Sequence, residues 1–229
     1  MIDAVIFDKD GTLFDFRKSW GAWTGQVLAS VAPDPATAAR LARLLGYDPV
    51  AVDFAPTSPV IGCTTLEIAR LIHDNLPGTS YAALADLLTG LAAEAPMVPA
   101  VDLRAVLGGL KQRGLVLGLA TNDTEAPARA HLTRAGVIDL FDFVAGCDSG
   151  WGGKPAPGQL QAFARAHRLT PQRVAMVGDS QHDLHAARAA GMKAVAVLTG
   201  IAGSETLAPD ADVVLPTIAE LGPWIDSAT

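Results

Sequence analysis

Seven side chains carry most of the chemistry that this sequence can support: Asp8, Asp10, Thr121, Asn122, Lys154, Asp179 and Asp183. Asp8 and Asp10 directly follow the apolar run Ala4-Val5-Ile6-Phe7, and Thr121 and Asn122 follow Leu115–Ala120. Asp179 comes just after Val174-Ala175-Met176-Val177, with Asp183 four residues beyond it. Lys154 lies in a glycine-rich loop, Gly150-Trp151-Gly152-Gly153-Lys154-Pro155. Carboxylates crowded together repel one another, and their energy falls only if a cation sits among them. Hard oxygen ligands without Cys or His select Mg²⁺, which keeps several waters and takes one or two carboxylates plus a substrate phosphate. Taken singly, each residue reads as well as a solvated loop carboxylate or, at Asp179 and Ser180, a helix cap. The ordered set at consecutive predicted strand ends is what points to a site.

The elements that must position these residues are legible in the hydrophobic pattern. Continuous apolar runs suit strands buried on both faces of a parallel sheet. Further runs lie at Ala194–Leu198 and Asp212–Leu215, and Phe141–Ala145 is another candidate. Helical stretches at Val101–Arg113, Glu125–Ala135, Pro157–His167 and His182–Ala190 fall between them, and several end at glycine (Gly114, Gly136, Gly191), as helix C-termini prefer. This alternation from about residue 100 onward predicts a doubly wound parallel α/β sheet. Ligands bind such sheets outside the carboxyl ends of the strands, which is where the seven residues fall. The segment 16–95 breaks the rhythm. It reads as helices at Ser19–Val31, Ala36–Leu45, Thr65–His73 and Tyr81–Ala93, punctuated by prolines and lacking a comparable strand. The expectation is an α/β core of residues 1–15 and 96–229, with an all-helical insert over 16–95.

A chain of 229 residues suits one large domain or a core with an insert, and buries roughly 70% of its unfolded surface without staples. Cys63 and Cys147 are far apart with no CxxC, so neither a disulfide framework nor structural zinc is expected, and the reduced cytoplasm is the natural location. Mean hydropathy is high at +0.29, but the most apolar stretch, Tyr81–Val101, is interrupted by Asp86, Glu94, Pro96 and Pro99. No membrane span is expected from it. A net charge of -7, with 24 acidic against 17 basic residues, gives no footprint for nucleic acid. The expected partner is a small molecule, and the expected assembly a monomer or homodimer.

Asp8-Lys9-Asp10-Gly11-Thr12-Leu13 resembles the first motif, DxDGT, of the haloacid dehalogenase-like hydrolase superfamily. Thr121-Asn122 is similar to its second motif, Lys154-Pro155 to its third, and Gly178-Asp179-Ser180-Gln181-His182-Asp183 to its fourth, GDSxxD. The order is the family's, and the helical insert resembles the cap of phosphoglycolate phosphatase-like members. The resemblance implies Mg²⁺-dependent hydrolysis of a small soluble phosphomonoester, phosphoglycolate first. Asp8 would attack phosphorus and carry an aspartyl-phosphate, splitting one difficult displacement into two. Asp10 would act as general acid and base, and its backbone carbonyl would also reach the metal. Thr121, the Asn122 amide and Lys154 would hold the phosphoryl oxygens. Asp179 would bind Mg²⁺, and Asp183 would orient a metal water or Lys154. Dehalogenases of the family typically lack the second aspartate, so Asp10 argues for phosphate esters.

Other readings are weighed against this one. A phosphomutase would return the phosphoryl group to a second hydroxyl, but the arginine such enzymes tend to carry is absent around Thr64 and Thr65. A non-catalytic phosphate-binding regulatory module would be expected to have lost one of Asp8, Asp10, Lys154 or Asp179. The Gly150–Lys154 loop is not a P-loop, because Asp148 stands where the first glycine is needed and Pro155 where Ser or Thr is needed. Arg17 and Lys18, where the chain rises into the insert, are candidates for a second anionic group of the substrate, ahead of Arg40, Arg43, Arg70 and His73. Trp20 and Trp23 read as core of the insert, Trp151 as an entrance residue, and His182 and His185 as helix histidines rather than ligands.

Overall fold

A computed structural model of the chain describes residues 1–227. Strand β1 (Ala4–Phe7) leads into an insert holding α1 (Phe16–Val31), α2 (Pro35–Leu44), β2 (Tyr47–Asp48), β3 (Asp53–Phe54), α3 (Pro59–Gly62), α4 (Thr65–Asn75) and α5 (Tyr81–Ala93). Strands and helices then alternate: α6 (Leu103–Gln112), β4 (Val116–Ala120), α7 (Glu125–Arg134), β5 (Phe143–Ala145) and α8 (Gly158–Ala166). They continue with β6 (Val174–Gly178), α9 (Gln181–Ala190), β7 (Lys193–Val197), α10 (Ser204–Leu207), β8 (Val213–Leu215) and α11 (Leu221–Ser227).

Six strands form one parallel sheet in the order β5-β4-β1-β6-β7-β8. The chain fills one side of β1 and then the other, so the winding reverses at β1. In register, Phe7 lies between Leu119 of β4 and Val177 of β6. Side chains alternate across the sheet as a period of two requires. Val5, Phe7, Leu117, Leu119, Ala175 and Val177 pack on one face, and Ala4, Ile6, Ala120, Val174 and Met176 on the other. Both faces are buried under helices, which is why the strands read as unbroken apolar runs.

The insert has an apolar core of its own, centred on Trp23, Val27, Leu41, Ile68, Ile72 and Leu88. It is not wholly helical, contrary to the expectation. β2 and β3 pair antiparallel, Tyr47 with Phe54 and Asp48 with Asp53. At two residues each, these strands are too short to give a periodic signal. α1 begins at Phe16 rather than Ser19, because the Asp15 side chain accepts from the Lys18 amide and caps the helix there. The two strands of chain joining insert and sheet run side by side, with the Asp15 amide donating to the Val98 carbonyl and the Ala100 amide to the Leu13 carbonyl.

Candidate active site

The reversal at β1 opens a crevice beyond the carboxyl ends of β1, β4 and β6, where open α/β sheets bind ligands. The Asp8 amide donates to the Val177 carbonyl at 2.8 Å, so Asp8 is tied to β6 one residue past the end of β1. The chain then turns tightly through Gly11 at φ +82°, left-handed backbone that favours glycine. A Cβ on Gly11 would also lie 2.3 Å from the Asp179 carboxylate, and one on Gly200 would lie 1.7 Å from it. Asp179, just past β6, therefore fills a slot that exists only because both neighbours lack side chains. Gly178 makes room for Asp183 in the same way, since its Cβ would fall 2.3 Å from that side chain.

Lys154 is buried, and its Nζ donates to Asp8 Oδ1 at 2.5 Å and to Asp183 Oδ1 at 2.6 Å. The other oxygen of Asp183 accepts from the Ser180 amide and hydroxyl, closing a capping box at the start of α9. The Asn122 side chain holds the loop at the edge of the crevice. Its Oδ1 accepts from the Lys154 amide at 2.7 Å and its Nδ2 donates to the Lys154 carbonyl at 2.9 Å, clasping the loop that carries the lysine. The Thr121 hydroxyl accepts from the Asp123 amide, and the Gln159 side chain donates to the Thr121 carbonyl.

Carboxylate oxygens of Asp8, Asp179 and Asp183 lie within 4.8 Å of one another. Burial raises the Asp8 pKa to about 7, and Asp183 and Asp10 push the same way against the pull of Lys154. Asp179 is raised well above its ordinary value, first by burial and then by Asp8 and Asp183. For Lys154 burial favours the neutral amine, but Asp183 and Asp8 outweigh it and raise the pKa. With all three buried carboxylates ionised, one lysine would leave net negative charge in a low dielectric, so this oxygen-only donor set fits a hard divalent cation that takes the place of their protons.

Lys9, between the two aspartates of the first motif, is a site residue that the sequence reading misses. It is fully buried, donates to Asp123 Oδ2 at 2.8 Å and to His131 Nδ1 at 2.9 Å, and forms an ion pair with Asp10 Oδ2 at 3.2 Å. The remaining oxygen, Asp10 Oδ1, is buried without a partner. Burial raises the Asp10 pKa, opposed first by Lys9. With Nδ1 accepting from the lysine, His131 is neutral and donates through Nε2 to the Ala92 carbonyl of α5 at 2.8 Å. A signal for Lys9 was present, because the alternation Val5, Phe7 continues to residue 9 on the same buried face. Asp123 and His131 carry no comparable mark in the sequence.

The insert closes over these groups. Asp8, Asp10, Thr121, Asn122, Lys154, Asp179 and Asp183 line a cavity of about 60 Å³ whose other wall comes from α1, α3 and α4. Gly62 meets the sheet side through its carbonyl, which accepts from Asn122 Nδ2 at 3.4 Å, and through the His182 ring, 2.6 Å from where a Cβ would stand. Trp20 and Trp23 belong to the core of the insert and also line the cavity.

Arg17 and Lys18 are not brought to the cavity. Arg17 spans to Asp53 of β3 at 2.7 Å and to the Gly200 carbonyl at 3.0 Å, while Lys18 pairs with its own helix cap, Asp15, at 2.9 Å. Arg40 donates to the Asn75 carbonyl and Arg70 lies over the Tyr81 ring. Trp151 packs on Phe143 instead of lining the entrance. His185 pairs with Asp210, and His182 lines the cavity. Burial raises the thiol pKa of both Cys63 and Cys147, the latter to about 11, which disfavours a reactive thiolate at either.

The comparisons agree with this architecture. A family profile described as haloacid dehalogenase-like hydrolase matches residues 2–191. A phosphoglycolate phosphatase of Rhodospirillum rubrum is 31% identical over 236 aligned residues, covering 98% of this chain and 91% of the relative. Among solved structures, a predicted phosphoglycolate phosphatase from Haemophilus somnus superposes with a TM-score of 0.77 at 20% identity, covering 98% of each chain. A β-phosphoglucomutase from Clostridium difficile superposes with a TM-score of 0.70 at 20% identity, over 99% of this chain and 96% of that one. At such identities the structures speak for the fold, while the profile and the R. rubrum relative decide the family. With its four motifs gathered at one sheet edge beneath a largely helical insert, the chain belongs to the haloacid dehalogenase-like hydrolases, in their phosphoglycolate phosphatase-like branch.

Proposed function

We propose that this protein is a Mg²⁺-dependent phosphatase acting on a small phosphomonoester through an aspartyl-phosphate on Asp8. The observation that carries this reading is the buried cluster in which Lys154 bridges Asp8 and Asp183 beside Asp179. Asp8 attacks phosphorus, and the bond from phosphorus to the ester oxygen breaks. Asp10 gives its proton to that oxygen, so a neutral alcohol leaves. A water then attacks phosphorus, Asp10 takes its proton, and inorganic phosphate and free Asp8 are restored. Asp10 suits both halves: Lys9 holds one of its carboxylate oxygens and leaves the other without a partner.

Asp8, Asp179 and the Asp10 carbonyl would hold Mg²⁺, which when bound neutralises charge on the phosphoryl oxygens. Asp183 has both oxygens engaged, by Lys154 and Ser180, and so orients the lysine. Lys154, Thr121 and the Asn122 amide stabilise the transferring group. The closed insert excludes bulk water during attack and must reopen for release.

The test is phosphate release from a panel of small phosphomonoesters, starting with 2-phosphoglycolate, in Mg²⁺ or EDTA, with Asp8→Asn as the blank. Mg²⁺-dependent release by the wild type and none by the variant is expected. Equal release by both would remove Asp8 from the nucleophile's place. For Asp10→Asn the loss should be larger on an alkyl phosphate than on p-nitrophenyl phosphate, whose leaving group needs no proton. Equal losses would contradict Asp10 as the acid. A bisphosphorylated product would turn the reading to a mutase.

A further inference from the structure

Among the described residues, three buried side-chain polar atoms without a hydrogen-bond partner belong to residues that line the cavity: Asp10 Oδ1, Trp20 Nε1 and Trp23 Nε1. The first is an acceptor on the proposed general acid, and the other two are indole N–H groups, which only donate. Buried polar side chains nearly always find partners, so an open acceptor and an open donor on one cavity call for a reason. The Trp20 indole is the one directed at Asp10. Burial raises the Asp10 pKa, and against it act first Lys9 and then Trp20, as a hydrogen-bond donor to the carboxylate. The same ring has Lys9 Nζ 5.4 Å from its centroid, and that ammonium pairs with the other oxygen, Asp10 Oδ2, at 3.2 Å. Trp20 is held in this place by its neighbours. Ser19 beside it is buried and its hydroxyl accepts from the Val98 amide at 3.0 Å, seating this turn of α1 on the segment that returns to the sheet. The Trp23 ring meets Trp20 edge-on, with centroids 5.0 Å apart.

Resting on the phosphatase reading, we infer that Trp20 is a positioning residue for Asp10: its indole N–H takes Oδ1 while Lys9 takes Oδ2, so the carboxyl group is held from the insert and from the sheet together. A carboxyl oxygen has two lone-pair positions, so Oδ1 accepts from the indole on one and exchanges the catalytic proton on the other. As the bond from phosphorus to the ester oxygen breaks, the Asp10 proton passes to that oxygen and its bonding pair stays on Asp10. The carboxylate so formed faces two donors, and the indole keeps its own proton throughout. In the second half the same carboxylate, still oriented, takes a proton from the attacking water. The contribution of Trp20 therefore passes through Asp10, and it is largest where the leaving oxygen most needs a proton.

The experiment measures kcat with Mg²⁺ on p-nitrophenyl phosphate and on the alkyl phosphate of the panel that is hydrolysed fastest, 2-phosphoglycolate being tried first. The proteins are the wild type, Trp20→Phe, Asp10→Asn and the double variant. Trp20→Phe keeps an aromatic ring and removes the N–H. Its kcat on the alkyl ester should fall about tenfold or more, and on p-nitrophenyl phosphate by less than about threefold. On the Asp10→Asn background the same substitution should change the alkyl-ester rate by less than about twofold, since the group it acts through is already gone. Equal losses on the two esters, or losses that multiply in the double variant, overturn the inference and leave the phosphatase reading standing. Equal losses on both esters from Asp10→Asn alone remove Asp10 as the acid, and the inference with it. Absence of Mg²⁺-dependent release by the wild type from every ester overturns both. Where Trp20→Phe lowers the unfolding temperature, position 20 is filled instead with 3-benzothienylalanine, which keeps the bicyclic shape with sulfur in place of N–H. The same selective loss is expected there, and a wild-type ratio of the two rates overturns the inference.

Discussion

Lys9 shows how much one buried charge can organise. Its ammonium meets three acceptors and lies 5.4 Å from the Trp20 ring centroid, so it is fully paired in a place where an unpaired lysine would be expelled. Burial would lower its pKa, yet Asp10 and Asp123 more than reverse this and raise it. Lys9→Met should destabilise the protein by about 3–5 kcal/mol, because two carboxylates are left buried without their cation. Urea unfolding measures this, and a loss under about 1 kcal/mol would show that the network relaxes without the lysine. Asp8 sets a second expectation. Its pKa of about 7 against an ordinary 3.8 means that the folded metal-free chain holds this proton more tightly than the unfolded chain. The resulting stability is fully present below the ordinary value and is lost as pH rises through about 7. Under the proposed function Mg²⁺ binds at Asp8 and displaces that proton, so the increment it adds to Tm should be larger at about pH 8 than at about pH 6. The opposite order would contradict a protonated Asp8 in the metal-free state.

At the scale of elements, one glycine and one histidine connect pieces that are distant in sequence. Gly200 follows β7 and presses against Asp179 so closely that any Cβ would overlap the carboxylate. Gly200→Ala is therefore expected to displace Asp179 and weaken Mg²⁺ affinity by about tenfold or more, read by calorimetric titration. Unchanged affinity would mean that Asp179 moves without consequence for the ion. His131, on α7, links Lys9 to the C-terminal end of α5 and so joins the sheet to the insert. Burial, and then Lys9, lower its pKa from 6.5 to about 4. Between those values the unfolded chain binds a proton that the folded chain refuses, so this contribution to stability is present above 6.5 and falls away as pH drops toward 4. In His131→Gln the slope of stability against pH over that window should be shallower than in the wild type. An unchanged slope would assign the pH dependence elsewhere.

On the scale of the whole molecule, the division of labour follows from topology. The sheet reverses at β1, which gathers residues from β1, β4, the loop after β5 and β6 at one edge. The insert leaves the chain just after the first of them, so its attachment lies beside the site and its wall becomes the roof. None of the described helices is long and apolar enough to cross a membrane. The acidic cluster thus rests on the sheet and the wall that faces it on the insert, so the two sides of the cavity can vary independently on one fold.

The parallel sheet and the site's main residues are legible in the sequence because their signals are local. Unbroken apolar runs mark strands buried on both faces, and the polar residues just past them fall at the sheet edge by connectivity alone. Tyr81–Ala93 is found residue for residue because its hydrophobic stretch is long and Ser80 caps it. Signals that depend on distant partners are not legible. The β2–β3 hairpin is held by pairing across a loop rather than by an apolar run of its own, and nothing near Asp123 or His131 foretells their meeting with Lys9. Arg17 and Lys18 stand at the expected place in the chain, but Asp53 and Asp15 claim them, and only the folded arrangement decides between an ion pair and a ligand. Sequence determined which residues share the sheet edge, since backbone periodicity and chain order fix it. Tertiary structure decided what faces them, because the roof is built from side chains whose directions depend on packing between elements far apart in the chain.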